Sequence, residues 1–195
     1  MTATHSGLIV LRARAASCMA IAAVLALSFA GKSARAAPAR EYAVKAAVLA
    51  NLPRFVEWPA RAGEPPLAPI VMGVIAPDPF GGVLDQLVAS PASPGRALVV
   101  RHIVDPIDAK GIHILFVARD SHGAAAIGRQ APIDVLTVGE TDGFLASGGH
   151  IRLALVEGRV KFKVNARAAE RAGLKIRSQL LSMARRPTVR AGAGS

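Results

Sequence analysis

The sequence predicts an α/β domain: a mostly parallel sheet flanked by helices, an α/β/α sandwich, with a C-terminal antiparallel hairpin. Three observations predict it. Apolar runs at 70–76, 97–104, 112–118 and 135–139 are separated by helix-like and loop-like stretches, the alternation that parallel strands with crossovers require. The first of these runs, Ile70 to Ala76, is continuously apolar, as a strand covered on both faces is. Residues 151–164 instead alternate with period two about Glu157-Gly158, as a half-buried hairpin does.

The first 36 residues read as a secretory signal peptide. Arg12 and Arg14 precede an uncharged run from Ala15 to Ala30, and Ala34-Arg35-Ala36 has the small-x-small form of a cleavage site. The run is shorter than the ~20 residues of a membrane span. Cleavage near Ala36 is therefore expected, with an uncleaved anchor as the alternative. Cys18, the one cysteine of the 195 residues, leaves with the signal. The remainder has neither disulfide nor thiol chemistry, so its core alone must hold the fold. Residues 37–187 are expected to form a single domain and 188–195 a disordered tail.

Glu41 to Trp58 reads as a helix with the apolar stripe Val44, Val48, Leu49, Leu52, Phe55 and Val56. Pro53 removes a backbone donor inside it, so a kink or break is expected near Leu52, and Trp58-Pro59 ends it. Residues 60–69 form a loop. The first strand is Ile70 to Ala76. Pro77-Asp78-Pro79-Phe80-Gly81-Gly82 turns the chain into a short helix over Val83 to Ala89. After a loop at 90–96 come strands at Ala97–Val104 and Ile112–Ala118, a small-residue helix at Ser121–Arg129, and a strand at Val135–Gly139.

In the hairpin, a two-residue Glu157-Gly158 loop pairs Leu155 with Val160, Leu153 with Phe162 and Ile151 with Val164, all on one face. The other face sets Arg152 against Lys163, a like-charge pair that belongs in water or against an acidic partner. Asn165 reads as the N-cap of a helix over Ala166–Ala172, and Gly173 as its left-handed stop. A last helix is expected over Lys175–Arg185, with Ile176, Leu180, Met183 and Ala184 at helical spacing.

Charge is unevenly spread. The chain carries a formal +11; its first 36 residues hold four basic groups and no acidic one, which leaves +7 after cleavage. Residues 37–150 hold 9 basic and 11 acidic groups, whereas residues 151–195 hold 11 and 2. The hairpin and final helices thus make a basic end. It is either a solvated face or a surface for an acidic protein, anionic lipid or nucleic acid, and export makes nucleic acid the least suitable.

Convergent catalytic groups are not apparent. No histidine has a partner at metal-ligand spacing, no Gly-x-Ser-x-Gly elbow occurs, and Gly81-Gly82 and Gly148-Gly149 are turn glycines, not a phosphate-binding fingerprint. Asp78 reads as a turn former without a second carboxylate beside it. Neither an enzyme nor a metal or cofactor site is expected.

Val44-Lys45-Ala46-Ala47-Val48-Leu49, Asn51 and Phe55-Val56-Glu57-Trp58-Pro59 resemble the opening of the YfiR-like periplasmic family. Asp78-Pro79-Phe80-Gly81, His113-Ile114-Leu115-Phe116, Leu136-Thr137-Val138-Gly139 and Gly143-Phe144 resemble its middle. Gly148-Gly149, Gly158-Arg159-Val160, Phe162, Asn165, Arg171-Ala172-Gly173-Leu174-Lys175-Ile176 and Ser178-Gln179-Leu180-Leu181 follow in the family's order. The resemblance covers about residues 41–185. It implies a dimeric periplasmic repressor that binds the periplasmic domain of an inner-membrane diguanylate cyclase and so lowers cyclic di-GMP and biofilm formation. The cysteine pairs that support redox sensitivity in such members are missing here, and Pro53 interrupts the opening helix.

A partner surface is expected at the basic end. Phe144 is the candidate anchor in a Gly-flanked loop, or else plugs the sheet end. Glu157 and Gln179 are candidate polar contacts, and Arg152, Lys161 and Lys163 supply steering charge. The other functional reading is a periplasmic module that takes a small ligand in the crevice at the carboxyl ends of its parallel strands.

Overall fold

The computed structural model describes residues 38–61, 64–65, 67–89, 96–104, 110–121 and 133–185. The signal peptide, the helix expected at 121–129 and the tail therefore lie outside the described residues, apart from Ser121. Helix α1 covers residues 38–51. It stops where Pro53 would break the ladder, and Leu52–Phe55 tightens into a 3-10 turn with proline in its first positions. The expected helix to Trp58 thus ends early, and Val56–Glu57 becomes a short strand, β1.

Strands β2 (Ile70–Ile75), β3 (Leu98–Ile103), β4 (Ile114–Val117) and β5 (Leu136–Gly139) run parallel, with α2 (Val83–Ala89) between β2 and β3. The hairpin β6 (Ile151–Val156) and β7 (Arg159–Val164) completes one six-stranded sheet of order β3-β2-β4-β5-β6-β7. β6 lies parallel to β5 and antiparallel to β7. β2, β4 and β5 are covered on both faces, as the apolar runs of β2 and β4 require; in β5 the buried Thr137 is satisfied by His150. β3 is an edge strand and largely exposed, with Arg101 and His102 in water.

Asn165 caps α3 (Ala166–Arg171) by accepting from the Ala168 amide at 3.1 Å. Gly173 has φ +79°; its amide donates to Glu170 and that of Leu174 to Ala169, a paired C-terminal closure that buries Leu174. The expected last helix is shorter than its pattern. Lys175–Ile176 is a strand, β8, paired antiparallel with β1 through Val56 and Ile176; only Ser178–Arg185 is helical, α4.

The sheet register separates two cores. On one face, rows such as Val74–Phe116–Val138–Ile151 meet α1, α2 and α4 through Leu49, Leu84 and Leu180. On the other, Ile75, Leu115 and Val117 form a second core with Phe144. The described residues from Arg40 onward make one compact unit.

Candidate functional site

The hairpin register is the one the alternation dictates: Leu155 faces Val160, Leu153 faces Phe162 and Ile151 faces Val164. Glu157 and Gly158 both take positive φ, +53° and +69°. A two-residue loop of that hand matches the strand twist, and only the glycine adopts it without cost. Toward the tip both faces emerge from cover: Leu155 on the apolar face and Val156 on the opposite one are exposed beside Glu157. Sequence alternation marked these two as sheet residues; that Leu155 outruns the helices packed against its face depends on tertiary structure.

Arg152, Lys161 and Lys163 share the opposite face of the hairpin. Arg152 is paired with exposed Asp142, and Lys161 Nζ lies 3.7 Å from Glu157. Lys163 is exposed and has no acidic partner among the described residues. Lysines on an edge strand also discourage unwanted strand pairing, so they serve the fold whatever their partner.

Phe144 does not join this surface. It is fully buried, and its ring lies on Gly139 and Gly149, where an added Cβ would come within 2.5 and 2.3 Å of it. The plug reading is therefore the structural one, and an exposed aromatic anchor is excluded. Gly139 within a strand was the signal, since a strand glycine marks close approach by another group. Gln179 is exposed on α4, but α4 packs on the Phe162 side of the sheet. The lysines lie on the other side. The two groups meet only along the outer edge of β7.

Beside Gln179, α1 and α4 enclose an apolar groove of about 330 Å³ over Phe162. Val44, Val48, Phe55, Leu180 and Met183 line it, with Asn51 as its polar residue. At the carboxyl ends of the parallel strands, aromatic side chains pack together among the described residues. The order β3-β2-β4 makes a switch point between β2 and β4. There the Phe80 ring packs tilted against Phe116 at 4.9 Å and edge-on to Tyr42 at 5.7 Å. Next to them Lys45, wholly buried, pairs with Glu41 and with buried Glu140. Glu140 also accepts from the Arg119 amide at 2.9 Å and the Tyr42 hydroxyl at 3.2 Å. Burial and the Glu140 charge push the Tyr42 hydroxyl far above its ordinary pKa, so it stays a donor.

Two histidines do structural work. His113 holds the entry of the sheet: its carbonyl accepts from Trp58 Nε1 at 3.1 Å and its Nε2 lies 3.0 Å from Glu64. Burial and then Arg61 depress its pKa, while Glu64 opposes them. His150 Nδ1 accepts from the Thr137 amide at 3.1 Å, and the His150 amide donates to the Thr137 hydroxyl at 3.1 Å.

Asp78 has company that the sequence did not disclose. Its Oδ1 accepts from the Phe80 amide at 2.8 Å, the turn role expected, but Asp85 of α2 and His102 of β3 converge on it. The β2-α2-β3 crossover brings them together across 24 positions, so no local spacing could show it.

With that geometry in view, comparison with known proteins is informative. The YfiR/HmsC-like family pattern matches residues 42–185. The chain belongs to the YfiR/HmsC-like family. That family supplies periplasmic regulators of cyclic di-GMP signalling. Its matched segment contains the whole described sheet and each resemblance block. Trp58 and His113, from separate blocks, pack edge to face at 6.0 Å. No curated protein matches the chain. A crystal structure of a conserved domain protein from Vibrio cholerae is similar at 18% identity, with TM-score 0.41, over 58% of this chain and 53% of that one. The chain thus spans about half the length of that protein. No described helix is long and apolar enough to cross a membrane.

Proposed function

We propose that this chain is a periplasmic regulatory protein that binds the periplasmic domain of an inner-membrane diguanylate cyclase and holds it inactive. Release then raises cyclic di-GMP and promotes biofilm. The observation that carries the reading is family membership across residues 42–185. The basic, partly apolar hairpin tip supports it. Exposed Leu155 and Val156 offer contact area, Glu157 rims them, and Arg152, Lys161 and Lys163 steer an acidic partner. Gln179 extends the contact only for a partner that straddles the β7 edge. In this reading the chain is a binding protein, exported and cleaved near Ala36, with no catalytic role.

The test is recovery of the partner. Tagged wild-type chain should retrieve a diguanylate cyclase from detergent-solubilised inner membrane, and a folded Lys161→Glu/Lys163→Glu variant should retrieve much less. Equal recovery by both would remove the lysines from the contact, and no cyclase in either would remove the reading. The homodimer implied by the family likeness is read by sedimentation equilibrium.

A further inference from the structure

We propose that Asp78, Asp85 and His102 form a binding site for a divalent transition metal of the zinc class. The three come from different elements of one βαβ unit: the turn after β2, the first turn of α2 and the edge strand β3. One ligand atom from each lies within 4.8 Å of the others. His102 Nε2 is 3.3 Å from Asp85 Oδ1, and His102 Nδ1 is 3.8 Å from Asp78 Oδ2. Neighbouring ligands on a tetrahedral ion with bonds of about 2.1 Å are about 3.4 Å apart. The two carboxylates approach different nitrogens of the ring, so closing the set on one of them takes a rotation of the imidazole and of Asp85 from separations of up to 4.8 Å. Those rotations are available: the His102 side chain is 48% and that of Asp85 43% exposed, and both border solvent from which an ion can enter. Asp78 is the fixed member, its other oxygen held by the Phe80 amide.

Charge gives an independent reason. Among the described residues, every other carboxylate in an ion pair meets a lysine or arginine. Asp78 and Asp85 meet only His102. The donor set selects the ion. One imidazole and two carboxylates suit zinc, cobalt, nickel or manganese; calcium and magnesium take oxygen alone, and copper(I) takes sulfur. Three protein ligands leave at least one position open to water. A bound ion would tie the turn after β2 to the sheet edge.

The experiment uses the mature protein freed of metal by chelation. Cobalt(II) should bind at one equivalent with a visible ligand-field spectrum, zinc should displace it, and zinc should raise the melting temperature. His102→Ala and Asp85→Asn lie at partly exposed positions and should keep the metal-free melting curve. Each should bind zinc at least about tenfold more weakly. Absence of saturable cobalt or zinc binding in wild type overturns the proposal, as does unchanged affinity in both variants. A wild type indifferent to metal, with His102→Ala melting lower, would make the cluster a plain histidine–carboxylate bridge and equally end it.

Discussion

His150 is 3% exposed and sits between β5 and β6 with its Nδ1 bound to a backbone amide. Burial, and then the Arg171 charge, lower its pKa from 6.5 to about 4. The folded state therefore binds its proton later than the unfolded state as pH falls. Stability from this group is intact above pH ~6.5 and is lost between there and pH ~4, by about 3 kcal/mol in all. Urea denaturation from pH 7.5 to 4.5 should show that slope, and His150→Asn, whose amide oxygen can replace Nδ1 as acceptor, should flatten it. Lys45 is the second residue of this kind. Lys45→Met should leave Glu140 buried without its cation and cost about 3–5 kcal/mol. Neither role was legible. Lys45 falls beside an apolar stripe, and only tertiary packing decides that the helix rolls it inward onto Glu140. For Phe144 the sequence left an exposed anchor and a plug of the sheet end both open; Gly139 and Gly149, which form its seat, decide for the plug.

At the scale of elements, local rules carried further. The hairpin pairing, the Asn165 cap and the Gly173 stop follow from neighbouring residues, and all three are present. Leu153→Ala and Phe162→Ala each remove a buried side chain from the hairpin face and should cost roughly 2–5 kcal/mol in thermal or chemical denaturation. Glu157 carries a positive φ that asparagine tolerates better, so Glu157→Asn should stabilise by about 0.5–1 kcal/mol. The same variant should weaken cyclase binding if the tip is the contact. Where partners are distant, the sequence was silent. Lys175–Ile176 has helical spacing but pairs with Val56–Glu57 more than a hundred positions earlier. A β-branched residue there serves either reading, and the long-range pairing decides.

For the whole molecule, the parallel class was legible from apolar runs between helices, but the strand order was not. Any order satisfies the same composition, and the order found places β3 at an edge and β2 beside the switch point. Of the basic residues that make the charge asymmetry, Arg152, Arg159, Lys161 and Lys163 lie on one face of the hairpin. The proposed contact there has a direct cellular consequence. Cyclic di-GMP measured by mass spectrometry in cells with and without the gene is the most immediate test of regulation by this chain. Deletion should raise the nucleotide, wild type should restore it, and Lys161→Glu/Lys163→Glu, present in the periplasm at equal level, should restore it poorly. Unchanged cyclic di-GMP on deletion, in cells where the cyclase is expressed, would contradict the account.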